Sequence, residues 1–281
     1  MFLNPDLREA RPLMVVGAPR CGTRFVANAL NRHPAIVVQG EIPKPAMEHA
    51  VRFLKRTDRY FATVPHWSAA WKASQRDLLY CIWASMIKTK QLQTNAKIAW
   101  FGHKTPRHDR YWKFYREFFG EVCPKYVFCM RNFVDHYLSM HSMYEDLTIA
   151  GVARRFRVSV ARYAEMKATL GDNVSLFILD DLREGGSDYV RTTLFERLGI
   201  EIDKRTLARI NVSRQANSTE GHGRSRRREL TAPESAFLER NQDLMEGLDA
   251  VRAARPLPPP VDKGATMAYA MTRAVRRFVG R

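Results

Sequence analysis

Apolar residues along this chain gather in short runs, and each run ends in a glycine or a polar cluster. Leu13-Met14-Val15-Val16 runs into Gly17, and Ile36-Val37-Val38 leads to Gly40-Glu41. Ile98 to Phe101 is followed by Gly102-His103-Lys104, Tyr126 to Met130 by Arg131, and Val174 to Leu179 by Asp180-Asp181. Runs of this length predict strands buried on both faces. Between the first two, Arg24 to Arg32 has helical spacing, with Phe25, Ala29 and Leu30 apolar, and His33-Pro34 is expected to stop that helix. Residues 43–95 are mostly helical in pattern and rich in Trp, Tyr and Phe, which predicts a cap beside the sheet. Ala232 to Arg252 reads as one further helix. Strands alternating with helices predict an α/β fold with a parallel sheet.

In an open sheet of this kind, ligands bind outside the carboxyl ends of the strands, and the polar clusters fall there. Gly17-Ala18-Pro19-Arg20-Cys21-Gly22-Thr23 lies between a strand and a helix. Glycines let the backbone turn tightly and approach a ligand. Successive N–H groups at a helix N-terminus form an anion cradle. Gly17 and Gly22 keep the glycine frame of a nucleotide-triphosphate loop, but Thr23 stands where that motif needs its lysine. Arg20, inside the loop, is the cation available instead. A plain strand–helix turn is the alternative for the loop taken alone.

Arg131 opens a second cluster that runs to Ser139. An arginine there either pairs with a phosphate through charge-assisted hydrogen bonds or makes a surface salt bridge at a helix start. Glu41 follows the second run. A carboxylate at the mouth of a site can take a proton from a hydroxyl, and a solvated loop is the alternative. His103-Lys104-Thr105-Pro106 follows the third run, with Lys104 facing either a ligand oxygen or solvent.

Together these residues resemble the sulfotransferases that use 3′-phosphoadenosine 5′-phosphosulfate. Val15 to Pro34 resembles that family's 5′-phosphosulfate loop, usually P-[KR]-S-G-T-T followed by a leucine-rich helix. Here Cys21 replaces the serine and Arg24 the second threonine. Arg131 to Ser139 resembles the 3′-phosphate signature R-[ND]-P-x-D-x-x-x-S, with Phe133 in place of proline. The resemblance extends over about Leu13 to Leu230 and implies a P-loop-type sheet flanked by helices. It implies that backbone N–H groups of Cys21, Gly22, Thr23 and Arg24 hold the 5′-phosphate, and that Arg131 and Ser139 take the 3′-phosphate. It makes Glu41 the base, 21 positions after Arg20 as in the tyrosylprotein sulfotransferases, and it gives Arg20 and Lys104 the charge developing on sulfuryl and leaving oxygens. The cytosolic small-molecule relatives carry K-T-H with histidine as base, and here Pro106 occupies that place. Asp180-Asp181-Leu182 is similar to the family's Y-E-D-L stretch, which implies a helix cap. The basic run with Arg224, Arg226, Arg227 and Arg228 is either the late loop that closes over the cofactor or a solvated loop. No metal is implied.

The remaining composition narrows the partners. A formal net charge of +17 on 281 residues draws polyanions without choosing among them. The basic residues are scattered and no helix-turn-helix, RRM or zinc signature is present, so nucleic acid is not the expected partner. Four cysteines without C-x-x-C spacing predict free thiols. The charged, proline-bearing N-terminus lacks a signal-peptide core, so the expected location is cytoplasmic. The expected organisation is one domain over 1–255, with the cap at 43–95, then a proline-rich linker and basic amphipathic helix in 256–281. That last helix, over 267–279, either docks on the inner face of an anionic membrane or packs on protein. The expected acceptor is a hydroxyl of a carbohydrate or lipid-linked glycan, and a P-loop small-molecule kinase is the alternative activity.

Overall fold

The computed structural model describes residues 7, 9–84, 97–210, 212 and 227–258. Five strands form one wholly parallel sheet: β1 (Arg11–Gly17), β2 (Ile36–Gln39), β3 (Trp100–Lys104), β4 (Lys125–Met130) and β5 (Val174–Ile178). Their order across the sheet is β2-β3-β1-β4-β5. The expected parallel α/β fold is therefore present.

Helices cover both faces, which is why the strands read as nearly unbroken apolar runs. Alternate residues point to opposite cores. Leu13, Val15, Val127 and Phe177 pack with α1 (Thr23–Leu30), while Met14, Val16, Tyr126 and Phe128 pack into the larger core on the other side. That larger core draws on α2 (Lys44–Ala62), α3 (Pro65–Ala84), α4 (Trp112–Phe119), α5 (Phe133–His141) and α6 (Ile149–Leu170). Beyond β5 lie α7 (Asp181–Val190), α8 (Lys204–Ala208), α9 (Ala232–Glu239) and α10 (Gly247–Arg252).

Three element boundaries differ from the sequence expectation, each for a tertiary reason. The first helix ends at Leu30 rather than at His33-Pro34, with Asn31 as its C-cap. The Asn31 side chain accepts from Val38 N (2.7 Å) and donates to Val38 O (2.8 Å), which ties the helix end to β2. The third strand lies at Trp100–Lys104 rather than Ile98 to Phe101. A Cβ on Gly102 would sit 1.5 Å from the Leu13 carbonyl oxygen, so only glycine permits this approach to β1, and His103 and Lys104 continue the ladder opposite Met14 and Val15. The expected single helix over Ala232 to Arg252 is broken into α9 and α10. Arg157, buried on α6, binds Asn241 (3.1 Å) and Asp243 (2.7 Å) and draws the intervening chain inward.

The described part of residues 43–95 is the α2–α3 hairpin. Its aromatic residues divide: Tyr80 and Trp83 are buried against Phe101, and Trp67 is exposed. All four cysteines are free. No described helix is long and apolar enough to cross a membrane. Arg214, Arg224, Arg226 and the helix expected over 267–279 lie outside the described residues.

Candidate active site

Because every strand is parallel, all five carboxyl ends lie along one edge of the sheet. From β1 the chain runs to β2 on one side, and from β4 to β5 on the other. The crevice where adjacent connections diverge is where an open α/β sheet binds ligands. The β1 loop and the Arg131 cluster flank it.

The β1 loop owes its shape to three residues with positive φ: Gly17 (118°), Arg20 (68°) and Gly22 (89°). At Gly17 a Cβ would lie 2.2 Å from the Cys129 carbonyl oxygen, so β4 passes directly against the loop's first residue. Gly22 is the N-cap of α1. A glycine there offers no side chain to the first N–H groups of the helix, and the first turn holds no acidic residue. The helix start therefore presents partial positive charge toward the crevice. Thr23 is buried and Arg24 exposed. Cys21 is fully buried, and burial pushes its thiol up to about 12, so the thiol stays protonated near pH 7.

Arg20 Nε donates to the Ser139 hydroxyl at 3.0 Å, which joins the loop to α5. At the start of α5, Arg131 Nη2 contacts Asp135 at 2.7 Å. This pair is not the solvent-exposed bridge that its i,i+4 spacing allows. The Arg131 side chain is only 10% exposed, and its buried Nε has no hydrogen-bond partner among the described residues. A buried, unsatisfied guanidinium N–H at a crevice is a donor in need of an acceptor. Burial opposes ionisation of Asp135, but Arg131 and Asn132 outweigh it and hold the carboxyl below its usual range. His136, buried behind Arg131, is pushed down to about 3 by burial and by Arg131 and Arg107, so it is neutral near pH 7.

Asn132 caps α5 by accepting from Asp135 N at 2.8 Å. Its own backbone N–H and amide donate to Asp180. This corrects the expected role of Asp180-Asp181. Asp180 stands at the N-cap of α7 without making a side-chain cap bond, because its carboxylate is taken by the β4 loop. Asp181 pairs instead with Arg252 at 2.7 Å.

On the other side of β1, the ends of β2 and β3 bring Glu41 and Lys104 together. Lys104 Nζ lies 2.5 Å from Glu41 Oε1. The lysine side chain is 10% exposed and the glutamate 60%. Thr105 joins the same two ends, because Ile42 N donates to Thr105 Oγ1 at 3.1 Å. Sequence reasoning missed this contact, although Thr105 follows directly on Lys104. Arg227, one of the four late arginines, is committed elsewhere: its guanidinium binds Glu234 and it lies over the Tyr137 ring.

A model of the sulfotransferase family matches residues 12–176, more than half of the chain. The chain belongs to the sulfotransferase family. The matched span contains Arg20, Glu41, Lys104, Arg131 and Ser139. No match is found among curated proteins. Among solved structures, the chain is similar to the sulfotransferase domain of the Synechococcus PCC 7002 olefin synthase, at 16% identity and a TM-score of 0.47, covering 92% of this chain and 100% of that one. It is also similar to the Mycobacterium avium sulfotransferase STF9 (15%, 0.45, covering 72% and 67%). Mouse SULT7A1, solved with PAP, gives 14% and 0.46, covering 86% and 88%. A kinase is not favoured for this sulfotransferase, since Thr23 occupies the position of a kinase loop lysine. Among the described residues, no group of three or more His, Cys, Asp and Glu side chains is placed to hold a metal ion.

Proposed function

We propose that this sulfotransferase moves a sulfuryl group from 3′-phosphoadenosine 5′-phosphosulfate to a hydroxyl of a carbohydrate or glycolipid. The observation that carries the reading is the Glu41–Lys104 pair, held beside an anion-binding loop and a buried arginine with an unmet donor. The residues fit a ligand with two separated phosphate groups. The uncapped start of α1, with Cys21 to Arg24, suits one phosphate, and Arg131 with Ser139 suits the other.

The bound cofactor supplies the activated sulfuryl group and its leaving phosphate. Sulfuryl transfer, like phosphoryl transfer, asks a protein mainly for positioning and charge stabilisation. Glu41 takes the proton of the acceptor hydroxyl. Lys104 and Arg20 place positive charge where the transferred and leaving oxygens gain negative charge. The left-handed backbone of Arg20 is strained for a residue with a Cβ, a condition that often marks functional loops. The choice of a carbohydrate acceptor rests on the breadth of hydroxyl acceptors in the sulfotransferase family. A cytoplasmic location at a membrane's inner face would suit a lipid-linked acceptor, and the basic amphipathic pattern of 267–279 supports it.

Calorimetry with 3′-phosphoadenosine 5′-phosphate (PAP), ATP and 5′-AMP tests the donor. Selective binding of PAP is expected, weakened in Arg131→Ala; binding of ATP in its place would remove the donor assignment. Mass spectrometry of products from galactolipid, oligosaccharide and phenol acceptors tests the second half. Transfer to phenols alone would exclude the carbohydrate acceptor.

A further inference from the structure

Glu41 stands in a stretch that the sheet does not hold. The β2–β3 ladder ends at the Gln39–His103 pair, and residues 40–43 have no regular secondary structure. The Glu41 side chain itself is 60% exposed. One residue further on, Ile42 is buried, and its N–H donates to Thr105 Oγ1 at 3.1 Å. Thr105 is anchored in turn. Its own N–H donates to Val15 O at 3.2 Å, and its hydroxyl lies 3.0 Å from His103 Nδ1. His103 is fully buried, with its ring centroid 5.0 Å from that of Trp83 and 5.3 Å from that of His108. Burial, with His108 and Lys104 close by, holds this imidazole neutral. The hydroxyl then has two partners: it accepts from Ile42 N, and it shares a hydrogen bond with His103 Nδ1 whose direction follows the imidazole tautomer. The chain Ile42–Thr105–His103 thus carries the rigidity of the core out to the β2 loop.

The register matters. Glu41 precedes Ile42 and Lys104 precedes Thr105, so one hydrogen bond between the later pair aligns the earlier pair. We infer that Thr105 is a positioning residue for sulfuryl transfer: its hydroxyl holds the β2 loop so that Glu41 meets Lys104 and the acceptor. This rests on the reading of Glu41 as the base. A misplacement of about 1 Å in a reacting group costs up to about 100-fold in rate.

The test compares Thr105→Val, which keeps the shape and removes the hydroxyl, with Thr105→Ser, which keeps the hydroxyl. Each is made alone and with Glu41→Gln. Turnover is read as PAP release from 3′-phosphoadenosine 5′-phosphosulfate, with a galactolipid acceptor and in parallel with water. Thr105→Val is expected to lower kcat about 10- to 100-fold, with PAP affinity by calorimetry and the KM for the donor unchanged. Thr105→Ser is expected to restore most of the rate. In the Glu41→Gln background, Thr105→Val should cost little more. Unchanged kcat in Thr105→Val, the same loss with and without Glu41, or PAP affinity falling in step with kcat would overturn the inference. Wild-type turnover in Glu41→Gln alone would instead remove the base itself, so the two failures are separable. If Thr105→Val does not fold, Thr105→Ala against Thr105→Ser gives the same contrast.

Discussion

Arg20 and Ser139 are 119 residues apart in sequence, and the arginine Nε donates to the serine hydroxyl at 3.0 Å. The contact couples the loop after β1 to the helix after β4, so the two halves of the proposed anion site are held relative to each other. Ser139→Ala should therefore weaken PAP by about 1.5–3 kcal/mol, the range for a hydrogen bond to a charged group. Calorimetry with PAP and 5′-AMP separates its two roles. A larger loss for PAP marks direct contact with the 3′-phosphate; an equal loss for both marks action through Arg20 alone.

Glu41 offers a carboxylate that is 60% exposed beside a nearly buried lysine. Glu41→Gln keeps the shape and removes the proton acceptor. The expected result is a fall in kcat of about 10²- to 10⁴-fold, typical of losing a general base, with PAP affinity unchanged. Steady-state kinetics and calorimetry on one preparation decide this. Turnover at the wild-type level would exclude Glu41 as base.

Gly17 combines a φ of 118° with a β4 carbonyl 2.2 Å from where a Cβ would be. In Gly17→Ala either the loop or β4 must move. Backbone strain alone costs about 1–3 kcal/mol, so the melting temperature should drop and PAP binding should weaken with it. A variant that melts with the wild type would show that the loop relaxes freely.

Glu234 joins α9 to α5. It accepts from Arg227, Tyr137 and the Thr231 N–H. Burial opposes its ionisation, but the bonds from Arg227, Tyr137 and Thr231 outweigh it and hold the carboxyl at about 2, against an ordinary 4.5. A depressed folded-state pKa means stability that is present above about pH 4.5 and lost as the pH falls toward 2. Glu234→Gln should therefore lower the melting temperature at pH 7, and the gap to wild type should narrow between pH 4.5 and 2. Thermal melts across that window check the sign, and a gap that stays constant would contradict it.

The strand runs, the glycine frame and the arginine after β4 were legible because each is a local pattern. Apolar runs mark strands buried on both faces, and Gly17 and Gly22 stand where the backbone turns left-handed. Candidate residues such as Arg20, Glu41, Lys104 and Arg131 could be found for the same reason, since each lies at or just past the end of a strand. Their pairing could not. The 2.5 Å approach of Lys104 to Glu41 depends on β2 lying next to β3, and the Arg20–Ser139 bond on β4 lying next to β1. The third strand moved because Gly102 lets Leu13 come close, and the expected helix over Ala232 to Arg252 broke because a buried arginine on α6 draws in Asn241 and Asp243. Periodicity along a chain reports which faces are buried, and so determined the fold class and the chemistry available. Which loop meets which is decided by strand order and by buried polar groups seeking partners, and only the tertiary structure decides that.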